Sequence, residues 1–124
     1  MVELRIESGQ AIFEIEGAHK LWALKSTLTV PLDHIVGVAR DDNPPMGFLD
    51  SVKIMGTDVP HFFRAGAFYQ VGENGVVFYD VRHADHCIAI ELENEHFKKL
   101  YLEVESPDAA VKLLTDAIAR NTTR

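Results

Sequence analysis

The sequence predicts a mainly β fold in which short antiparallel strands precede a single C-terminal α-helix. Apolar and polar residues alternate with a period of two over much of residues 2–104, which is typical of half-buried strands. Clusters of Gly, Pro, Asn and Asp separate these runs, as turns do. Only residues 106–120 show the apolar spacing of a helix.

The predicted helix begins with residues suited to a helix N-terminus. Ser106 offers a capping hydroxyl, Pro107 fits a position that needs no amide donor, and Asp108 faces the positive end of the helix dipole. An apolar stripe follows, made of Ala110, Val111, Leu113, Leu114, Ala117 and Ile118. We therefore expect this face to pack across a curved sheet or the open end of a barrel.

The first residues predict a hairpin. Residues 2–7 alternate apolar with charged side chains, residues 8–10 turn the chain, and Phe13 and Ile15 belong to a second strand. A further apolar run, beginning at residue 20, continues to Val30. Pro31 cannot donate to a central ladder, so we expect the chain to bend there before a strand over 35–40.

Two later segments carry strong turn signals. Asn74-Gly75 lies between two alternating runs and is the pair that a tight hairpin prefers. Residues 94–96 predict a second hairpin. The strand that follows should place two sets of side chains on opposite faces: one set is Leu100, Leu102 and Val104, and the other is Lys99, Tyr101 and Glu103.

The longest predicted loop covers residues 41–50, which begin with a dense cluster of Asp, Asn and Pro. It also contains large apolar side chains, which we expect either to fold back onto the core or to face a partner. The first predicted strand, residues 2–7, is a plausible sheet edge, where a second copy can pair. Together these two segments supply the interface candidates Val2, Leu4, Ile6, Met46, Phe48 and Leu49.

Composition limits the classes of function. The 124 residues are 47% hydrophobic, enough for one domain over 1–124 with its own core. Cys87 is the only cysteine, so an internal disulfide is excluded and a reducing cytoplasm is expected. The first residues lack the apolar run of a signal peptide. A net charge of -7 opposes nucleic acid as a partner.

Four features occur together along the chain: Trp22-Ala23-Leu24-Lys25-Ser26, Val30-Pro31-Leu32 before Ile35, Gly56-Thr57 before Pro60 and Gly66, and Ser106-Pro107-Asp108 before the helix. With the strand succession, they resemble small bacterial proteins of the pleckstrin-homology-like (PH-like) superfold. The resemblance implies an antiparallel two-sheet, partly open barrel of about seven or more strands, capped by the C-terminal helix. This superfold hosts lipid binding, peptide binding and oligomerisation, so function must be argued from residues.

Phosphoinositide-binding members of that superfold carry several basic residues on the first two barrel strands. Here the matching region offers Lys20 and Lys25 beside Glu14 and Glu16, too little positive charge for a phosphorylated head group. The helix tryptophan usual in the superfold is also missing, because the only tryptophan is Trp22. We therefore expect no stable membrane or phosphoinositide binding.

The densest cluster of chemically active residue types is His83, Asp85, His86 and Cys87. These types bind metals, but a closed site needs about four ligands, and the sequence supplies no second pair at metal-binding spacing. The alternative is a polar turn in which Asp85 bonds backbone amides and Cys87 packs as a small apolar residue. We expect no cofactor.

No catalytic signature is present in the sequence. It lacks a Gly-x-Ser-x-Gly elbow, a phosphate-binding glycine loop and a dinucleotide fingerprint. We therefore expect a non-enzymatic module for protein–protein contacts or homo-oligomerisation. The alternative is a small-molecule binder with an internal or edge pocket. Exposed apolar residues would favour the first reading, and a pocket with converging polar groups the second.

Overall fold

A computed structural model describes residues 2–15, 27–42, 44, 51–59, 63–70 and 75–122, with the backbone alone for 51–59, 63–65, 70, 84 and 122. The strands are β1 Val2–Glu7, β2 Gln10–Ile15, β3 Thr27–Pro31, β4 Ile35–Arg40, β5 Ser51–Val59, β6 Phe63–Gln70, β7 Gly75–Val81, β8 Cys87–Leu92 and β9 Lys99–Glu103. Helix α1 is Pro107–Thr122, and single 3₁₀ turns cover Leu32–His34 and Ala84–His86. No helix in these ranges has the length and apolar character needed to cross a membrane.

The first three strands form an antiparallel sheet in the order β1-β2-β3. Ser8 and Gly9 alone connect β1 to β2, and both have positive φ angles, 51° and 77°. Two such residues make the turn whose twist suits a hairpin, so the predicted first hairpin is confirmed. As expected, the chain turns after Pro31, through the 3₁₀ turn Leu32–His34, and enters β4 of the second sheet.

The second sheet has six strands in the order β4-β8-β9-β7-β6-β5. The expectation of a wholly antiparallel fold is wrong at the centre of this sheet, because β9 runs parallel to β7 and antiparallel to β8. The chain passes from β7 to β8 without pairing them, and β9 then returns into the space between. Lys98 begins this return by donating its amide to Val76 at 2.8 Å. The nine described strands form two sheets and no closed barrel.

The hairpin predicted at Asn74-Gly75 is partly right. Strands β6 and β7 are antiparallel neighbours, but Gly75 lies in β7 opposite Gln70. Because Gly75 is paired within the sheet, the tight turn predicted at Asn74-Gly75 is wrong; residues 71–74 lie outside the described residues. Gly75 lies close to the side chain of Lys98: a Cβ built on it would be 2.4 Å from Cγ of Lys98, so a larger residue requires this exposed side chain to move.

The main core joins both sheets to α1. Its buried residues are Val2, Ala11, Phe13, Ile15, Val30, Leu32, Ile35, Ile88, Ile90, Leu92, Leu100, Leu102, Val104, Leu114 and Ala117. The helix packs on β4, β8 and the turn Leu32–His34, and Leu114 is completely buried. The predicted burial of one helix face is thus confirmed, although Leu113 falls outside the buried stripe with 39% of its surface exposed.

A second buried group, which we call the aromatic cluster, occupies the other face of the large sheet. It consists of Phe68, Val77, Tyr79, Val81, Cys87, Ala89 and Tyr101. Tyr79 stacks on Tyr101 with ring centroids 5.0 Å apart, and Phe68 meets Tyr79 edge-on at 5.4 Å. Tyr101 thus lies on the strand face opposite Leu100 and Leu102, as the alternation predicts, and this part of the sheet is buried on both faces.

Candidate functional site

The four candidate metal ligands lie in the connection between β7 and β8. His83 and Asp85 are exposed, His86 is partly buried, and Cys87 is fully buried in the aromatic cluster. Among the described residues no group of three or more His, Cys, Asp or Glu side chains is arranged to hold a metal ion. Neighbouring positions in the sequence thus place these four side chains in different environments.

Cys87 lacks the surroundings of a reactive thiol. Burial, followed by the nearby negative charge of Asp41, raises the pKa of the Cys87 thiol from 9.0 to about 12. The thiolate is the nucleophile and the metal-binding form, so neither role suits a thiol that stays protonated at neutral pH. In this structure Cys87 acts as a small apolar residue of the core.

The polar centre of this region is Glu103, which the alternation of the sequence placed on the same strand face as Lys99 and Tyr101. Its Oε1 accepts hydrogen bonds from the backbone amides of Arg82 and His83, both at 2.7 Å, and its Oε2 lies 3.0 Å from Nδ1 of His83. Burial, the largest influence, raises the pKa of Glu103, but the hydrogen bonds from the His83 side chain and the two amides together bring it below its ordinary value. We call this arrangement the Glu103 corner.

Backbone hydrogen bonds connect the Glu103 corner to its neighbours. The amide of His86 donates to the carbonyl of His83 at 3.1 Å, and the amide of Val104 donates to His86 at 2.9 Å. Arg40 on β4 donates from its guanidinium to the carbonyl of Asp85 at 3.0 Å. The turn Ala84–His86 is thereby fixed between β4 and the end of β9, which gives the corner a structural role.

A second histidine–carboxylate pair lies at the junction of the two sheets. Nδ1 of His34 is 2.5 Å from Oε2 of Glu95, and the backbone amide of Glu93 donates to the carbonyl of His34 at 2.9 Å. The hydrogen bond to Glu95 is the main cause that raises the pKa of His34 above 6.5, and the charges of Asp33, Glu95 and Glu93 add to it. These contacts attach the turn Leu32–His34 to the loop after β8.

An open groove lies where the β1–β2 turn, the turn Leu32–His34 and the end of α1 meet. Its volume is about 430 Å³, and it is lined by Ile6, Ser8, Gly9, Leu32, Ala117, Arg120 and Asn121. We call it the end groove. None of its polar residues stood out as a site in the sequence, because they come from segments that are distant in the chain and individually ordinary.

The interface candidates of the first strand point inward. Val2 is buried in the main core, and Leu4 and Ile6 pack against it. The outer surface of this sheet instead carries Arg5, which pairs with Glu7 and Glu14. Met46, Phe48 and Leu49, the other candidates, lie outside the described residues. The large apolar side chains that the structure does expose are Val36, Tyr69 and Leu113.

Comparisons of the chain with models of known protein families, with curated proteins and with solved structures each gave no match. Function must therefore be argued from the geometry of the described residues.

Proposed function

We propose that this chain is a non-enzymatic binding or assembly module that mediates protein–protein contacts or homo-oligomerisation. A PH-like architecture and a bacterial, cytoplasmic setting are part of the proposal. The PH-like assignment is supported by a single C-terminal helix that packs against strands leading from one sheet into another. The parallel pair β7–β9 departs from the simple antiparallel barrel of that superfold.

The observation that carries the assembly proposal is the edge strand β4 with its exposed valine. β4 pairs only with β8 among the described strands, so in this part of the chain no strand occupies its second edge, to which another strand can add. Val36 lies at an irregularity in that pairing, between Ile35 and Gly37, with 55% of its surface exposed. Leu113 is also exposed, and it lies on α1, which packs against β4.

We place the proposed interface at β4 and not at β1, because the exposed side chains of the two strands differ in charge. The outward side chains of β1 are Glu3, Arg5 and Glu7, and charges at a sheet edge oppose pairing with another chain. The exposed residues of β4 are Val36 and Ala39, which carry no charge, and Arg40 at the end of the strand, which pairs with Asp42. An edge with apolar side chains is the better surface for a second copy of the chain.

The positions of the reactive and the basic groups support the rest of the proposal. The carboxylate of Glu103 is occupied by hydrogen bonds that fix the fold, and the pKa of the Cys87 thiol is raised to about 12, which disfavours a nucleophile. Arg5, Arg40 and Lys112 each pair with carboxylates on a chain of net charge -7. Nucleic acids, anionic membranes and phosphoinositides are therefore not among the proposed partners.

Light scattering at micromolar concentrations tests the assembly proposal. We expect a mass above that of the monomer, and a shift toward the monomer in Val36→Lys, because a buried charge opposes the interface. Thr29→Lys is the matched control, since Thr29 is exposed on β3 of the other sheet and the added charge is the same. A monomeric wild-type chain at every concentration would refute homo-oligomerisation through β4.

The second candidate function is small-molecule binding in the end groove. It is favoured by one observation: an apolar floor and three polar side chains, from Ser8, Arg120 and Asn121, share a volume of about 430 Å³. Ligand sites usually combine an apolar lining with a few polar groups that orient the ligand. Ligand binding does not require a mass above that of the monomer. A monomeric chain in the light-scattering experiment would therefore refute the first candidate and leave this one.

A further inference from the structure

We propose that the outward face of α1 pairs with the same helix of a second copy, antiparallel and about a two-fold axis, as the second half of the interface at β4. The inference rests on the proposed homo-oligomerisation and specifies how two copies meet. Three observations carry it: the order of charges along the helix, the exposed Leu113 at its middle, and the direction of α1 relative to β4.

The charges on the outward face of α1 alternate in sign. Asp108, Lys112, Asp116 and Arg120 follow one another at intervals of four residues, which places them along one broad stripe. The exposed fractions of the first three side chains are 85%, 78% and 47%, and Arg120 is exposed as well. In an antiparallel pair centred at the level of Leu114, Lys112 faces Asp116 of the second copy. Asp108 likewise faces Arg120, so each charge meets the opposite sign.

The match is one of sign, because these side chains also have contacts within their own chain. Lys112 donates to Asp116 at 2.9 Å, Asp108 accepts from Arg40 at 3.4 Å, and Arg120 has its own partner. A carboxylate accepts several hydrogen bonds at once, so such contacts can be shared across an interface. The two positive and two negative charges also cancel, whereas the whole chain carries -7. Two copies therefore approach at this stripe without the repulsion between acidic surfaces.

Leu113 supplies an apolar contact beside the proposed axis. Its surface is 39% exposed, and it lies one residue, about 1.5 Å along the helix, from the level of Leu114. The two copies of Leu113 are thus close enough to pack against each other. The helix has 16 residues and is about 24 Å long, too short for a helix pair alone to bury the roughly 1,200 Å² of a stable interface. The contact at β4 is needed in addition.

One two-fold axis can produce both contacts, because α1 lies antiparallel to β4. Arg40 at the end of β4 contacts Asp108 in the first turn of the helix. Leu32, which precedes β4, lines the end groove together with Ala117 and Arg120 from the last turns. A two-fold axis that joins two antiparallel copies of β4 in one sheet is perpendicular to that sheet. It therefore also makes the helices antiparallel and keeps them on one face, where α1 packs on β4 itself.

Two charge-reversed variants, Lys112→Glu and Asp116→Lys, test the inference by light scattering over a range of concentrations. Each variant alone places like charges opposite each other at both symmetric pairs, so we expect its dissociation constant to rise about tenfold. In an equimolar mixture, a chain of one variant that meets a chain of the other again has opposite charges at both pairs. We therefore expect the mixture to associate as the wild type does.

Arg5→Glu is the matched control, because it reverses an exposed, ion-paired side chain on the small sheet and should leave association unchanged. The two helix variants change the net charge in opposite directions, so net charge alone cannot weaken both. Circular dichroism of each variant shows whether the helix is kept.

The outcomes separate the helix pair from the function on which it rests. Helix variants that associate as the wild type does, or a mixture that associates no better than its components, would overturn the helix pair and leave assembly through β4 in place. An equal loss in Arg5→Glu would also overturn the helix pair. A wild-type chain that is monomeric at every concentration would overturn assembly itself and the helix pair with it.

Discussion

The two histidine–glutamate pairs of this structure, His34 with Glu95 and His83 with Glu103, differ in how far each partner is buried. In the pair of His34 and Glu95 the exposed fractions of the side chains are similar, 29% and 25%. In the pair of His83 and Glu103 the carboxylate is only 6% exposed while the imidazole is 64% exposed. The two side chains of the first pair are thus exposed to a similar degree, whereas the second pair joins a buried carboxylate to a mostly exposed imidazole.

The difference lies in what else binds each carboxylate. Glu103 accepts two backbone amides in addition to Nδ1 of His83, so it keeps most of its hydrogen bonds whatever the charge of the histidine. The described contact of the Glu95 carboxylate is with His34, and it is the pKa of His34 that is raised. We therefore expect Glu103 to govern stability in acid and His34 to govern it near neutrality.

The largest effect should come from Glu103→Gln. The carboxamide keeps one acceptor oxygen for the amides of Arg82 and His83 but loses the negative charge that strengthens these hydrogen bonds, so we expect the free energy of unfolding to fall by about 2 kcal/mol. Urea denaturation at neutral pH measures this change. Glu95→Gln is the matched control and should lower the stability less, because the Glu95 side chain is 25% exposed whereas that of Glu103 is 6% exposed. Equal losses in the two variants would contradict the comparison.

The second effect is the loss of stability as the pH falls into the acid range. Because the pKa of Glu103 is lowered in the folded chain, its stabilisation is complete above the ordinary value of 4.5 and is lost as the pH falls through the folded pKa. Urea denaturation from about pH 6 down to pH 3 should show this loss. The loss should be smaller in Glu103→Gln, whose side chain does not titrate. If the free energy of unfolding falls equally with pH in both proteins, groups other than Glu103 cause the loss.

The third effect concerns His34, whose contribution to stability is lost as the pH rises, in a higher pH range than the loss at Glu103. The pKa of His34 is raised above 6.5 in the folded chain, so its stabilisation is complete below 6.5 and is lost as the pH rises through the folded pKa. NMR titration of the imidazole should give a raised pKa that moves back toward 6.5 in Glu95→Gln. A pKa of His34 that is the same in both proteins would show that Glu95 is not the main cause.

The smallest effect should come from His83→Gln. The two amide hydrogen bonds to Glu103 remain, and the imidazole that is removed is mostly exposed, so the stability should fall by less than about 1 kcal/mol. Thermal unfolding monitored by circular dichroism measures it. A loss as large as that of Glu103→Gln would mean that the histidine, rather than the amides, fixes the carboxylate.

The elements that the sequence predicted well are those with local signals. The hairpin at Ser8 and Gly9 follows from turn chemistry between two alternating strands, and α1 follows from its capping residues and the stripe around Leu114. Each signal lies within a dozen or so neighbouring residues. For that reason the strands and the helix could be predicted from the sequence without knowledge of the tertiary fold.

The features that the sequence did not predict depend on distant pairs of residues. Alternation put Tyr101 and Glu103 on the strand face opposite Leu100 and Leu102, but it did not indicate that both residues are buried, which follows from the position of β9 in the middle of the large sheet. The amides that hold Glu103 come from Arg82 and His83, about twenty positions earlier in the chain. Periodicity indicates which residues share a face and does not indicate what that face meets.

The central position of β9 has a consequence for the order in which the protein is made. Synthesis delivers β7 and β8 first, and neither pairs with the other in the finished sheet, because β9 lies between them. Until residues 99–103 have left the ribosome, both strands have an open edge and their apolar side chains lack a central neighbour. Completion of the large sheet must therefore wait for β9, because in the finished order this strand alone joins β4 and β8 to β7, β6 and β5.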